Sequence, residues 1–314
     1  MRSTRFAAMA AGAALTASCA PSVVSTAQPA TAWSPTPVAG VVEPSETIKN
    51  APASAWRDVD PQNLLIMELK NGARIAIELA PQFAPVHVAN IRAFARAGWW
   101  NNAAIYRVQD NYVVQWGNGD AENPLPPGVV KTPPAEYDRP LAGLQVRPLG
   151  YPDSYAPMVG HVDGWPVGYD PVSGRAWLTH CYASVGVGRD LAPDTGTGGE
   201  LYAVIGHAPR HLDLNIATVG RVLEGFDKLT SIPRGTEALG FIKDPANHVP
   251  IARIRLASDL PAAERPAFQV MRSDSEAFSA YVLGRANRGG TFFNRPAGGI
   301  DLCNVNVPVR RKPA

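Results

Sequence analysis

Residues 105–120, I-Y-R-V-Q-D-N-Y-V-V-Q-W-G-N-G-D, narrow the choice of fold more than any other stretch. Tyr106, Val108, Tyr112, Val113 and Val114 suit a pleated, half-buried surface. Asp110-Asn111 is a turn signal, because Asx side chains bond their own backbone and tolerate a left-handed φ. The stretch therefore predicts two short strands around a tight turn. Arg107 and Gln115 are the polar exceptions in a segment that otherwise wants burial. A buried guanidinium has to be paired or put to use. On this stretch alone, Arg107 is either a structural arginine, bonded to loop carbonyls with Gln115 as partner, or a donor held for chemistry.

The flanking sequence extends the strand pattern. Residues 64–69, L-L-I-M-E-L, predict a strand, and Asn71-Gly72 is the strongest short hairpin signal. Residues 73–79 alternate as a returning strand should. Pro85 then suits the first turn of a helix, which presents Val88, Ile91 and Phe94 on one face and stops at Gly98. Residues 122–165 are long, proline-rich and weakly patterned, an insertion of loops with at most one strand. Strand character returns at 177–188, 200–205, 216–222 and 251–256, with a glycine-rich loop at 189–199 and a short helical turn at 225–229. The 30 prolines and 28 glycines fit a fold of turns and strands rather than a helical bundle. Together these elements predict a closed antiparallel sheet with helices at its ends. The tail is different: Ser273-Asp274-Ser275-Glu276 reads as a capping box for a helix to about 287, with Phe278, Tyr281 and Val282 on one face.

Arg2 and Arg5 precede an apolar run at 6–17, the pattern of an export leader. Residues 15–19, L-T-A-S-C, resemble a bacterial lipobox, which predicts a lipid anchor at Cys19. The alternative is ordinary cleavage after Ala27 or Ala32. Either way the chain is expected outside the cytoplasmic membrane. Residues 20–56, rich in Pro, Ala, Ser and Thr, are expected to be a flexible tether. With Cys19 lipidated, Cys181 and Cys303 remain. In an oxidising compartment they form one disulfide, the alternative being two buried free thiols. A net charge of +2 argues against a nucleic-acid binder. No apolar run beyond the leader is long enough to span a bilayer.

Four blocks in order, 70–91, 105–120, 200–213 and 218–229, resemble the cyclophilin family of peptidyl-prolyl cis-trans isomerases. The resemblance covers roughly 63–257, interrupted by the insertion, and does not reach the tail. It implies a mainly β fold: a closed eight-stranded antiparallel barrel capped by two α-helices. The expected organisation is a leader at 1–19, the tether at 20–56, the barrel at 57–257 with its insertion at about 121–176, and an α/β extension at 258–314 packing on the barrel.

The resemblance implies that Arg107 is the catalytic arginine and that Gln115 binds substrate backbone. Tyr112, Val113, Tyr202 and Leu212 then correspond to the residues that hold the proline ring, with Ala183 beside them. The sequence departs from the family at His211, where a Trp is common, at Ile216 for a His, at Glu200 for a Gln and at Gly199 for a Ser. Tyr112 and Tyr202 each stand where Phe is usual, and their added hydroxyls need partners.

The implied activity is isomerisation of X-Pro bonds in proline-containing peptides and unfolded envelope proteins, without metal or cofactor. A catalytically weak, lipid-anchored peptide-binding protein is the alternative. The six histidines do not make a metal motif, since Pro209 separates His207 from His211 and keeps them off one helical face.

Overall fold

A computed structural model describes residues 38, 40–118, 124–289 and 292–313. The expected leader, Cys19 and the alternative cleavage sites lie outside them. The chain runs through α1 (Pro44–Asn50), β1 (Trp56–Asp58), β2 (Leu64–Leu69), β3 (Arg74–Leu79) and α2 (Pro85–Arg96). The hairpin β4 (Ala104–Val108) and β5 (Val113–Gly117) follows. Next come β6 (Arg139–Pro140), β7 (Arg147–Pro148), β8 (Met158–Val162), β9 (Trp165–Asp170) and β10 (Arg175–Leu178). Then come β11 (Ser184–Val187), β12 (Leu201–Val204), β13 (Thr218–Glu224), α3 (Phe226–Thr230) and β14 (Val249–Leu256). The tail holds β15 (Phe268–Met271), α4 (Glu276–Ala286) and β16 (Val309–Arg311).

Eight strands close into a barrel in the order β11-β12-β5-β4-β14-β2-β3-β13, every pair antiparallel. Alternate residues point inward and make one core, among them Leu65, Met67, Ile75, Ile77, Val114, Trp116, Leu201 and Ala203. Helix α2 closes one end by laying Val88, Ile91 and Phe94 onto that core. It starts at Pro85 and has no capping side chain of its own. Glu136 supplies the cap from the insertion, accepting from the N–H groups of Val86 and His87 at 2.9 Å each.

The insertion is more ordered than its sequence suggests. Strands β6 to β10 form a separate five-stranded sheet in the order β6-β10-β9-β8-β7. Its centre is the β8–β9 hairpin, turned at Asp163-Gly164 with φ of 49° and 78°. This Asp-Gly pair is a hairpin signal of the same kind as Asn71-Gly72. Residues 177–178, expected to begin a barrel strand running to 188, belong to this sheet instead.

The expected tether is also shorter than 20–56. Helix α1 packs against α4, and β1 joins β15 and β16 in a three-stranded sheet, so the chain is structured by Pro44. The capping box is corrected by two residues. Ser275, not Ser273, caps α4 by accepting from Phe278 N–H at 3.1 Å. Ser273 is buried and accepts instead from Gly164 N–H at 3.1 Å.

Two cross-links join these layers. Cys181 and Cys303 are bonded, with S–S 2.08 Å and Cα–Cα 4.9 Å, tying the approach to β11 to the tail. Buried Glu78 on β3 accepts from Arg57 at 2.7 Å and from Arg221 at 2.8 and 3.0 Å. The same two arginines donate to the Asp163 and Gly164 carbonyls of the insertion, so one carboxylate organises barrel, insertion and terminal sheet.

Candidate active site

Strand register decides which side chains meet on the barrel's outer face. In β12, Leu201 and Ala203 point into the core, so Tyr202 and Val204 point out. In β5, Val114 and Trp116 point in, so Val113 and Gln115 point out. The pairing sets Tyr202 opposite Gln115 and Val204 opposite Val113, which gathers all four on one patch. On the far side of β5, the β4 pairing shifts register between Ile105 and Arg107 and sets Arg107 opposite Gln115. The bulge inserts Tyr106 as an extra residue, so Tyr106 and Arg107 both reach the patch.

Arg107 is held from three directions. Its Nε donates to Leu239 O at 2.8 Å, one Nη to Gln115 Oε1 at 2.9 Å and the other to Gln109 Oε1 at 2.6 Å. The rings of Phe241 and Tyr112 lie 5.3 and 6.0 Å from its Cζ. A guanidinium has five N–H groups, and these bonds engage three. Gln115 is fixed in turn, because its Nε2 donates to the Tyr106 hydroxyl at 2.7 Å. The Tyr106 hydroxyl donates to the Glu200 carboxylate. Glu200 occupies the space over Gly117, where an added Cβ would fall 1.9 Å from its carboxyl carbon. Burial, then the Glu200 charge and hydrogen bond, hold the Tyr106 hydroxyl far above its ordinary pKa, so it stays a donor. Burial pulls the Arg107 pKa down, but a guanidinium starts so high that it remains charged.

Beside this polar row lies an apolar cluster of Val113, Tyr202 and Val204, with Tyr112, Leu212 and Ile216 packed against it. Both extra hydroxyls have partners. Tyr112 meets His211 Nε2 at 3.1 Å, with the two rings stacked 5.7 Å apart. Tyr202 meets His180 Nε2 at 2.9 Å. Buried His180 is held through Nδ1 by Asp213 at 3.0 Å. Asp213 accepts from Arg210 at 2.7 Å, and Arg210 makes a two-pronged pair with Asp153 of the insertion at 2.9 and 3.0 Å. The insertion is thereby wired to the floor of the cluster.

The model of the cyclophilin type peptidyl-prolyl cis-trans isomerase family matches residues 64–256, which is the barrel with its insertion. The chain belongs to this family. Relatives named probable peptidyl-prolyl cis-trans isomerase, from Brucella suis and Brucella melitensis, are 27% identical over 190 residues, covering 59% of this chain and 80% of theirs. The crystal structure of cyclophilin AquaCyp293 from Hirschia baltica matches with a TM-score of 0.64 at 27% identity. That match covers 82% of this chain and 93% of the other, so the likeness extends past the barrel. The protein is a peptidyl-prolyl cis-trans isomerase with a cyclophilin barrel.

Within this cyclophilin, Arg107, Gln115, Tyr112, Val113, Tyr202 and Leu212 come together, with His211 exposed at the rim. Ala183 does not join them. It packs against the main core with φ of 72° and lines a cavity of about 260 Å³ between barrel, insertion and tail. Sequence reasoning missed Tyr106, Gln109, Leu239, Phe241 and His180. The bulge at Tyr106 carries no local signal, and the others lie outside the blocks that carry the family resemblance or inside one without a known role. Among the described residues, no group of histidines, cysteines and carboxylates is arranged to hold a metal ion.

Proposed function

We propose that Arg107 is the group that lowers the isomerisation barrier. Rotation about an X-Pro amide breaks resonance and faces roughly 18–20 kcal/mol. At the twisted state the prolyl nitrogen becomes pyramidal and gains a lone pair. A fixed cationic donor aimed at that nitrogen stabilises the twisted state over either planar one. The two Arg107 N–H groups outside its three named bonds are suited to this. Val113, Tyr202, Val204, Leu212 and Ile216 form the socket for the proline ring, and Gln115 orients the guanidinium while taking a share of the substrate backbone. The observation that carries the reading is the triple anchoring of Arg107 beside that apolar cluster.

Exchange spectroscopy on an Ala-Pro peptide tests it. Removing one preorganised donor costs roughly 10²–10³ in rate, so Arg107→Ala should lose at least that much. Arg107→Lys, which keeps the charge without the planar fork, should recover little. Wild-type exchange rates in a folded Arg107→Ala protein would sink the assignment.

We further propose that the substrates are proline-containing segments of envelope proteins and that Cys19 carries a lipid anchor. The basic and apolar leader sequence supports export, and the Cys181–Cys303 disulfide fits an oxidising compartment. Cys19→Ser should release the protein from the membrane fraction; undiminished association in that variant counts against the anchor.

A further inference from the structure

The edge of β4 opposite β5 carries a feature that isomerisation of a bare X-Pro bond does not require. The chain between α3 and β14 bends back at 237–241 and pairs Phe241 with Arg107. Ile242 N–H donates to Tyr106 O and Gly235 N–H to Val108 O, both at 2.9 Å. Since β5 occupies the other edge, this bend lies on the side of Arg107 away from the proline socket.

The bend is a defined object. Leu239 has φ of 59°, and its carbonyl accepts from Arg107 Nε. Gly240, at φ of 79°, sits so close that a Cβ there would fall 2.5 Å from Gln109 Cα. Phe241 stacks on Tyr106 with centroids 6.1 Å apart and lies over the guanidinium. Yet the apolar side chains face solvent, Leu239 at 63% and Phe241 at 40% exposure. A branched apolar residue in left-handed backbone is costly, and here it puts a leucine into water beside the guanidinium.

We propose that Leu239 and Phe241 form a second subsite, which takes an apolar side chain of the residue next to proline in the bound peptide. This rests on the reading that the prolyl amide is held at Arg107. The Phe241 and Tyr112 rings lie 5.3 and 6.0 Å from the same guanidinium carbon, on the shelf side and the socket side. A peptide with its proline in the socket therefore carries the neighbouring residue, about 3.8 Å away from Cα to Cα, onto the shelf. The occupant is the substrate chain itself, because the shelf lies against the guanidinium that holds the prolyl amide, its Phe241 ring 5.3 Å from Arg107 Cζ. Apolar neighbours are selected over glycine.

The test uses peptides with Gly, Ala, Leu or Phe placed before or after proline. The quantity read is the kcat/KM of each apolar peptide divided by that of its Gly counterpart. Half-burying one aliphatic side chain gives a ratio of roughly three to ten. Leu239→Asn tolerates the left-handed backbone and keeps the carbonyl for Arg107, so it removes only apolar surface. That variant and Phe241→Ala should bring the ratio toward one at the position concerned. A wild-type ratio of one at both positions, or a ratio that both variants leave intact, overturns the subsite. Should the wild type accelerate no peptide, the same ratio is read from dissociation constants by NMR titration. A preference lost in Leu239→Asn then upholds the subsite while the catalytic reading falls, and no preference in the wild type overturns the subsite as well.

Discussion

Replacing Tyr202 by Phe puts the ring that is usual in cyclophilins back into the socket, and it should nevertheless destabilise this protein. The Tyr202 hydroxyl is the 2.9 Å partner of His180 Nε2, on a histidine only 1% exposed. Gly186 makes room for it, since a Cβ there would fall 2.3 Å from the hydroxyl oxygen. Without that hydroxyl, Nε2 keeps only Thr218 Oγ1 at 3.4 Å. A buried polar atom left without a partner costs about 1–3 kcal/mol, and the weak Thr218 contact brings this to about 1–2 kcal/mol. For a chain of this size that lowers the Tm by roughly 2–8 °C. Urea titration followed by tryptophan fluorescence measures it. Adding Thr218→Val removes the last alternative and should bring the loss to the top of the range. If the double variant is as stable as wild type, the His180–Tyr202 contact contributes nothing and the reasoning fails.

Two further perturbations test how the layers are joined. His161 is fully buried under Phe278 of α4 with its Nε2 unpartnered, and burial, aided by the Arg221 charge, pushes its pKa down to about 3. The folded state therefore favours neutral His161, so its contribution is complete above the unfolded value near 6.5 and is lost as pH falls toward 3, by at most about 1.4 kcal/mol per pH unit. His161→Leu should flatten the stability–pH slope between 6 and 4, and an unchanged slope would disprove the assignment. Burial pushes the Glu78 carboxyl pKa up, but Arg221 and Arg57 outweigh it and hold it below its usual value. Glu78→Gln should cost about 3–5 kcal/mol by stranding both arginines, with earlier proteolysis at the insertion; a loss under about 1 kcal/mol would show that Glu78 does not organise the layers.

The barrel was legible because its strands obey local rules. Residues 64–69 were bounded correctly by apolar run and Asn-Gly turn, and the 105–117 hairpin by its β-formers and Asx turn. The insertion was not, although it holds five strands. Its two longest, Met158–Val162 and Trp165–Asp170, contain glycine or proline at Gly160, Pro166 and Gly168, which weakens any periodicity. Gly160 and Gly168 are there for packing: a Cβ would meet Arg147 O at 2.4 Å or the Trp177 ring at 2.6 Å. Residues that look like strand breakers are in fact what lets neighbouring chain approach. The helix cap at α4 was misplaced because Ser273 and Ser275 both precede an acidic residue, and only the buried contact of Ser273 with Gly164 separates them.

At the site, period-two alternation was enough to put Tyr202, Gln115 and Val113 on one face, whereas one of the three bonds that position Arg107 comes from 239 and the Gln115 bond is itself backed, through Tyr106, from 200. No local pattern links those positions to 107. The family departures are informative when taken in pairs. Read singly, Tyr112 and Tyr202 add hydroxyls to an apolar socket, and His211 removes an aromatic wall. In the folded protein Tyr112 is bonded and stacked to His211, and Tyr202 is bonded to His180. Each hydroxyl arrives with the imidazole that satisfies it. The proposed socket thus keeps an apolar cluster while its polar atoms turn outward to the rim or down into the Asp213–Arg210–Asp153 network. Reverting Tyr112, Tyr202 or His211 toward the family pattern breaks a pair, so the socket is to be understood, and mutated, as two tyrosine–histidine couples rather than as three separate departures.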